Sequence, residues 1–398
     1  MPVRTLAEFY GLVRSTIPAR RALTEALLAG RPFEQAVVGR LREALAELEA
    51  IPEEPAGRRL ILEGARAIHV DLSYEIEELQ KDLVFVERGE EALLEQLAHR
   101  HVGFREELEG GLDALRGLRF QAFVTDRDGT VNNYCGRYAS SVQSTYNAVF
   151  LARFARACAA TSVVLTSAPL QDIGLVDMAV TPPGALVCAG SKGREYLDAQ
   201  GRRGQYPIEP SKQEKLDTLN DALTELLRKP GREVFTLIGS GLQRKFGQTT
   251  VARQDISGSV PEGKSERFMS EVRQLVDSLD PAGSCFRIED TGLDLEILLT
   301  VEEEAGGVAR DFDKGDGVRF LNEDLKLDMG GGMCLICGDT ASDVPMLAAT
   351  LELAPETRSI FVTRNEDLRR KVRGLLAGAY FVSEPDILVA MLNALGRA

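Results

Sequence analysis

Histidine, positive charge and long apolar runs are all scarce in this sequence, and each scarcity removes a class of function. Only three histidines occur in 398 residues, His69, His99 and His101. His99 and His101 form a His-x-His pair, but residues two apart on a helix point to different faces. They are expected as solvated side chains, not as a metal pair. Lys and Arg number 47 against 61 Asp and Glu, a net charge of −14. Nucleic acid is thereby excluded as a general partner, because a phosphate backbone is bound by excess cations; a small anion met by a local cation is not excluded. No apolar run approaches the roughly 20 residues that span a bilayer. The opening residues, MPVRTLAEFYGLVRS, are amphipathic, carry Glu8 and lack the continuous apolar stretch of a signal peptide. A cytoplasmic protein with no membrane partner is expected. The six cysteines are scattered through a chain without an export signal, which favours free thiols. Cys334 and Cys337 are spaced as CxxC, but they lie in MCLIC, an apolar run that reads as a buried strand.

What is present describes an ordinary globular protein, 44% hydrophobic and 27% charged. Its length calls for two or three domains. Residues 1–116 read as helical throughout: Leu41, Ala44, Leu45, Leu48 and Ile51 recur at three and four, as do Leu97, Phe104, Leu108, Leu112 and Leu115. Pro52 to Gly57 reads as a turn between helices. This all-α region is expected to pack on the rest of the chain or on a second copy, making a homo-oligomer. From 117 to 200 strands alternate with helices: Phe120 to Thr125, then a helix around Val142 to Ala159, then Ser162 to Thr166, then Ala185 to Gly190. That is the βαβ rhythm of a parallel sheet. Residues 201–308 break it, with strands at Glu233 to Gly241, Gln248 to Ile256, Ser284 to Gly292 and Asp294 to Glu302. Helices at Lys212 to Leu227 and Glu266 to Leu279 complete an inserted α+β module. The parallel pattern returns in 309–398.

The chemistry gathers where strands end. RFQAFVTDRDGT (Arg119 to Thr130) is a short β-favouring run that stops in Asp126, Arg127, Asp128, Gly129 and Thr130. Taken alone, it is compatible with an Asp-Gly turn. Two further strands also end in polar groups, Thr166 and Ser167 after the second, Asp339 and Asp343 after MCLIC. In an open parallel sheet ligands bind beyond the carboxyl ends of the strands. Carboxylates gathered at that edge repel one another and imply a cation; Mg²⁺ suits hard oxygen donors shared with a phosphate. Lys314 opens the helix KGDGVRFLNEDL, where the helix dipole disfavours a cation, so an anion facing it is the better explanation.

DRDGT, LTSAP around Thr166, KGDG from Lys314 and GDTASDVPM (Gly338 to Met346) resemble the four ordered motifs of the haloacid dehalogenase-like phosphohydrolases. The likeness covers about residues 118–398 and implies an α/β, Rossmann-like core with a C2-type cap inserted between the second and third motifs. It implies Asp126 as nucleophile, Asp128 as acid and base, Thr166, Ser167 and Lys314 as phosphate ligands, and Mg²⁺ held by Asp126, Asp128, Asp339 and Asp343. Within that group the chain is most similar to sugar-phosphate phosphatases, trehalose-6-phosphate phosphatases above all. Lys245, Arg253 and Glu296 match their cap positions and become the expected sugar contacts. The second motif, Thr-Ser-Ala-Pro, departs from the Ser-Gly-Arg usual there and looks more like the mannosyl-phosphoglycerate phosphatase form. Another glycosyl phosphate, mannosyl- or glucosyl-3-phosphoglycerate, therefore stays open as substrate, and so does a regulatory or assembly protein with a vestigial catalytic domain.

Overall fold

The computed structural model describes residues 3–62, 66–301 and 310–397. The chain opens with helices α1 (Leu6–Ser15), α2 (Ile17–Leu28) and α3 (Gln35–Glu49). A capping box starts α1: the Thr5 hydroxyl accepts from the Glu8 N–H, and the Glu8 carboxylate accepts from the Thr5 N–H. A small sheet then interrupts the helices, which the periodicity does not foretell. Strands β1 (Glu53–Glu54), β2 (Gly57–Leu62) and β3 (Arg66–Val70) form an antiparallel sheet. Leu60, Leu62, Ile68 and Val70 are buried at a spacing of two, the period of a strand with one inward face. Helices α4 (Ser73–Arg88), α5 (Glu90–Arg100) and α6 (Phe104–Leu115) follow.

The central sheet contains β4 (Phe120–Thr125), β5 (Ala159–Leu165), β6 (Val187–Gly190), β7 (Glu195–Leu197) and β8 (Arg203–Gln205), with α7 (Thr145–Cys158) and the four-residue α8 (Leu175–Met178) between them. The chain then leaves the sheet. Helices α9 (Pro210–Leu227), α10 (Val234–Leu237) and α11 (Glu262–Leu279) accompany strands β9 (Leu242–Lys245), β10 (Gln248–Ala252), β11 (Phe286–Asp290), β12 (Asp294–Val301) and β13 (Arg310–Asp311). These strands form an antiparallel sheet ordered β11-β12-β10-β9, with β13 on β12. The strand expected at Glu233 to Gly241 is instead the short helix α10. Its Phe235 stacks flat on Phe268 of α11, ring centroids 3.8 Å apart, and this packing overrides the local β preference. Glu302, expected to end β12, and the expected boundary at 308 lie outside the described residues.

The chain re-enters through α12 (Lys314–Asp324), β14 (Cys334–Gly338), α13 (Val344–Leu353), β15 (Thr357–Val362), α14 (Glu366–Leu375), β16 (Tyr380–Val382) and α15 (Pro385–Arg397). The completed eight-stranded sheet has the order β16-β15-β14-β4-β5-β6-β7-β8, parallel from β16 to β6 and antiparallel beyond. Alternation along β4 assigns its faces. Ala122 and Val124 join the cluster under α12 and α13, while Phe123 joins the one under α7 and α15; Phe120, at the start of the strand, departs from the alternation and packs with the second cluster. Helices α4, α5 and α6 of the N-terminal region contribute Phe85, Leu93, Leu97 and Phe104 to that second cluster.

Candidate active site

The order of the sheet reverses beside β4: the next strand in sequence, β5, lies on one side and the late strand β14 on the other. A crevice opens at such a switch point, beyond the carboxyl ends of the strands. Asp126 follows β4 and Asp339 follows β14, both at that crevice. Asp126 is buried, and its Oδ1 accepts from Lys314 Nζ at 2.6 Å. The same ammonium donates to Asp343 Oδ1 at 2.6 Å. Thr130 Oγ1 donates to Asp339 Oδ1 at 3.1 Å. One carboxylate oxygen from each of Asp126, Asp339 and Asp343 lies within 4.8 Å of the others.

Local sequence builds this arrangement. Asp313 caps α12, its Oδ1 accepting from the N–H groups of Gly315 and Asp316, and Asp316 returns the bond to the Asp313 N–H. That fixes where Lys314 starts. Gly317 then lets α12 approach the turn between β6 and β7, since a Cβ there would stand 2.1 Å from Lys192 O. Gly129 has φ +86°, and a Cβ on it would stand 2.2 Å from Asp339 Oδ2, so glycine is what allows Asp339 into the cluster. Asp343 is fully buried; its Oδ2 accepts from the N–H groups of Asp339 and Thr340 and ties the turn after β14.

Burial pushes the Asp126 carboxyl up to about 6, against the pull of Lys314. Burial, followed by repulsion from Asp126 and Asp343, pushes Asp339 up to about 9. Burial alone would also raise Asp343, but Lys314 and the backbone bonds outweigh it and hold that carboxyl low. Lys314, which burial would lower, is held above its ordinary value by its two carboxylates. Three carboxylates answered by one ammonium leave the cluster short of positive charge, and its donors are hard oxygens; Mg²⁺ fits both conditions.

Of the four carboxylates expected here, the structure gathers the side chains of three. The Asp128 side chain turns away, and the reason is Arg127. Continuing the β4 alternation puts Arg127 on the α7 side of the sheet, where it is buried. Its Nη1 donates to Asp128 Oδ1 at 2.5 Å and to Ser141 Oγ at 2.9 Å. Ser141 Oγ donates to the same Asp128 oxygen at 2.8 Å. Asn132 Nδ2 lies 3.5 Å from it and donates to the Tyr74 hydroxyl of α4 at 3.0 Å. All the contacts to the Asp128 carboxylate involve Oδ1, which leaves Oδ2 open.

Thr166 follows β5 beside this edge, buried, with its Oγ1 accepting from the Ala168 N–H at 3.2 Å; Ser167 is half-buried next to it. In the inserted module Lys245 is buried and Glu296 accepts from Gln248 Nε2 at 3.1 Å. Burial lowers Lys245, with Glu296 opposing. Lys192, which the sequence reading missed, stands 3.8 Å from Glu296, on a left-handed residue (φ 61°) between β6 and β7. Arg253 does not join that group: it donates to Asp290 at 2.8 Å and Ser265 at 2.9 Å, within the module. The Cys334 and Cys337 thiols are buried and free, as the strand reading has it. The solvated reading of His101 is corrected, since its Nε2 lies 2.8 Å from the buried Asp386. Its helix end faces α15, which the charged sequence around it conceals.

A family model described as trehalose-6-phosphate phosphatase, C-terminal, matches residues 123–388, and one described as trehalose-6-phosphate phosphatase N-terminal helical bundle domain matches residues 5–100. The chain is 33% identical to the UDP-forming alpha,alpha-trehalose-phosphate synthase 2 of Caenorhabditis elegans, over 98% of this chain and 33% of that protein. It is 34% identical to a trehalose-phosphatase of the same organism, over 67% of this chain and 61% of that protein. It is 29% identical to the trehalose-phosphatase of Brugia malayi, over 98% and 86%. The chain spans about a third of the length of the synthases it matches.

Proposed function

The chain belongs to the trehalose-6-phosphate phosphatase family, within the haloacid dehalogenase-like phosphohydrolases; from that premise we propose that it is a Mg²⁺-dependent phosphatase that hydrolyses trehalose 6-phosphate to trehalose and phosphate. The observation that carries the reading is the division of labour between two acids two residues apart. Asp126 sits in the carboxylate cluster against Lys314, and Asp128 is held out of it by Arg127.

Asp126 attacks phosphorus and forms an aspartyl-phosphate, a carboxylate acting as covalent nucleophile. The bond from phosphorus to the sugar oxygen breaks, and Asp128 Oδ2 supplies the proton that the leaving oxygen takes. Asp128, now ionised, removes a proton from the water that attacks the acyl phosphate and releases inorganic phosphate. Lys314, Thr166 and Ser167 hold the phosphoryl oxygens, where catalysis is chiefly positional and electrostatic. Asp126, Asp339, Asp343 and the backbone carbonyl of Asp128 would hold Mg²⁺, which when bound supplies positive charge against the phosphoryl group. Lys245 and Glu296 are proposed to contact the sugar from the inserted cap, with Arg253 shaping the cap behind them.

The deciding experiment measures phosphate release from a panel containing trehalose 6-phosphate, glucose 6-phosphate, and mannosyl- and glucosyl-3-phosphoglycerate, with Mg²⁺ and after chelation. Trehalose 6-phosphate is expected to give the highest kcat/KM, and chelation to abolish turnover until Mg²⁺ is restored. A phosphoglycerate substrate turned over fastest would displace this reading, and the Thr-Ser-Ala-Pro motif is the feature that would then account for it.

A further inference from the structure

The inserted module is joined to the core by two chain crossings, one between β8 and α9 and one between β13 and α12. Those crossings pack on each other, the Tyr206 and Phe312 rings meeting edge to face with centroids 4.9 Å apart. A module tied only there could turn about the pair, as a hinge does. A second tie fixes its angle: the four-residue turn Ser191 to Arg194, between β6 and β7.

On the core side this turn is held by both elements that the phosphate site needs. The Ser191 N–H donates to Ala168 O at 2.7 Å and the Lys192 N–H to Thr166 O at 2.8 Å. Lys192 O lies against Gly317 of α12, the helix that Lys314 opens. On the module side the turn grips the tip of the β9–β10 hairpin, directly after Lys245, and the neighbouring β12. Ser191 Oγ accepts from the Phe246 N–H at 3.0 Å, Arg194 Nη1 donates to Gly247 O, and Arg194 Nη2 donates to Leu299 O at 3.2 Å. Lys192 Nζ stands 3.8 Å from Glu296. The hairpin tip is shaped for this approach, since a Cβ on Gly247 would stand 1.8 Å from Arg194 Nη1.

Arg194 is the informative member. It is buried, its guanidinium lies 4.6 Å from the Phe312 ring centroid, and its side-chain hydrogen bonds go to backbone carbonyls of the module. Burial lowers it to about 10, against the pull of Tyr206, Asp316 and Asp311. Its Nε is buried and has no partner among the described residues. A buried cation bonded to carbonyls instead of a carboxylate costs stability, so stability does not account for its place. Its bonds to the module do.

We propose that the turn Ser191 to Arg194 is a spacer that fixes the distance between the phosphate site and the sugar contacts of the cap, with Arg194 as the positioning residue that sets it. Thr166 on the core and Lys245 and Glu296 on the cap are all tied to this one turn. A substrate is then accepted when its phosphate and its sugar lie at the separation the turn imposes. The spacing half rests on the phosphatase reading; the tie between cap and core does not.

Arg194→Met keeps an apolar stem over Phe312 and removes the donors, and Ser191→Ala, the milder change, removes one acceptor. Each variant is assayed with trehalose 6-phosphate and with p-nitrophenyl phosphate, which carries a phosphate and no sugar. Hydrogen exchange of residues 242–248 is followed alongside that of β4 and β14. In Arg194→Met, KM for the sugar phosphate should rise about tenfold, the low end for a hydrogen bond to a charged group, with p-nitrophenyl phosphate hydrolysis unchanged. Arg194→Lys should recover part of the loss, and Ser191→Ala should show the same pattern more weakly. Exchange should quicken at 242–248 in both Arg194→Met and Ser191→Ala and stay as it was in β4 and β14. Equal losses on both substrates, no loss on either, or unmoved exchange at the hairpin overturns the proposal. A wild-type chain that hydrolyses no sugar phosphate refutes the phosphatase reading and the spacing with it, and the exchange measurement alone then decides the tie.

Discussion

Asp126 and Asp128 are separated by one residue and given different chemistry by their neighbours. Asp126 faces Lys314 and two carboxylates, and Asp128 faces a guanidinium and two neutral donors. Asp126→Asn should therefore abolish phosphate release while leaving the fold, because the amide keeps the volume and Lys314 keeps its bond to Asp343. Phosphate release and thermal unfolding of the purified variant check this; near-wild-type turnover would remove Asp126 from the nucleophile's role. In the proposed mechanism Arg127 acts one step back, as a positioning residue. Arg127→Met should lower kcat by about a hundredfold, the low end of what general acid–base catalysis contributes, with KM nearly unchanged. Arg127→Lys, which keeps a cation there, should restore part of the lost kcat. A kcat that stays as low in Arg127→Lys as in Arg127→Met would mean the arginine only supports the fold.

At the scale of elements, the strand ends were legible in the sequence and the partners of α4 were not. DRDGT and GDTASD are local signals: a β-favouring run, a carboxylate and a glycine in one short window. Helix α4 reads SYEIEELQKDLVFVER, and its charges suggest a solvated face. In the structure Glu75, Glu78, Lys81 and Asp82 are all buried; Lys81 pairs with Glu78 one turn before it, and their other partners lie far along the chain. Asp82 Oδ1 accepts from the N–H groups of Thr145 and Tyr146 and so caps α7 from another helix. Lys81 Nζ meets Asp386 at 3.0 Å, at the start of α15. Burial alone would raise the Asp386 carboxyl, but Lys81, with bonds from His101 and Tyr146, outweighs it and holds Asp386 far below its ordinary range. A depressed folded-state value adds stability above the unfolded carboxylate value, about 4, and that stability is lost as pH falls through the folded value. Asp386→Asn should thus destabilise the protein at pH 7 by about 3–5 kcal/mol, the cost of breaking a buried ion pair. The deficit should shrink as pH falls below about 4. Denaturant unfolding of both chains at pH 7 and pH 3.5 measures it, and a deficit independent of pH would mean the pair is not ionised.

For the whole molecule, the N-terminal region is the part whose purpose the sequence leaves most open, since helical periodicity reports an apolar face and not what covers it. The structure covers those faces within the chain. Among the described residues before β4, Val102 is the one large apolar side chain that is strongly exposed. The region reaches both other parts: Tyr10 of α1 donates to Leu237 O of the inserted module at 2.6 Å, and α4 supplies Tyr74 and Glu78 to the segment between DRDGT and α7 and Asp82 to the start of α7. Removing it would leave Asp386 without Lys81 and His101, α7 without its cap, and Phe120, Phe150 and Leu388 without the apolar residues of α4 to α6 that share their cluster. A chain of residues 117–398 should accordingly fail to unfold cooperatively and should lose turnover even where some of it stays in solution, because Asn132 and Asn133 lose their partners on α4. Circular dichroism melting together with phosphate release tests this. A truncated chain that melts cooperatively and turns over at the full-length rate would show that the catalytic loop stands without α4, and would return the N-terminal region to a role outside the site.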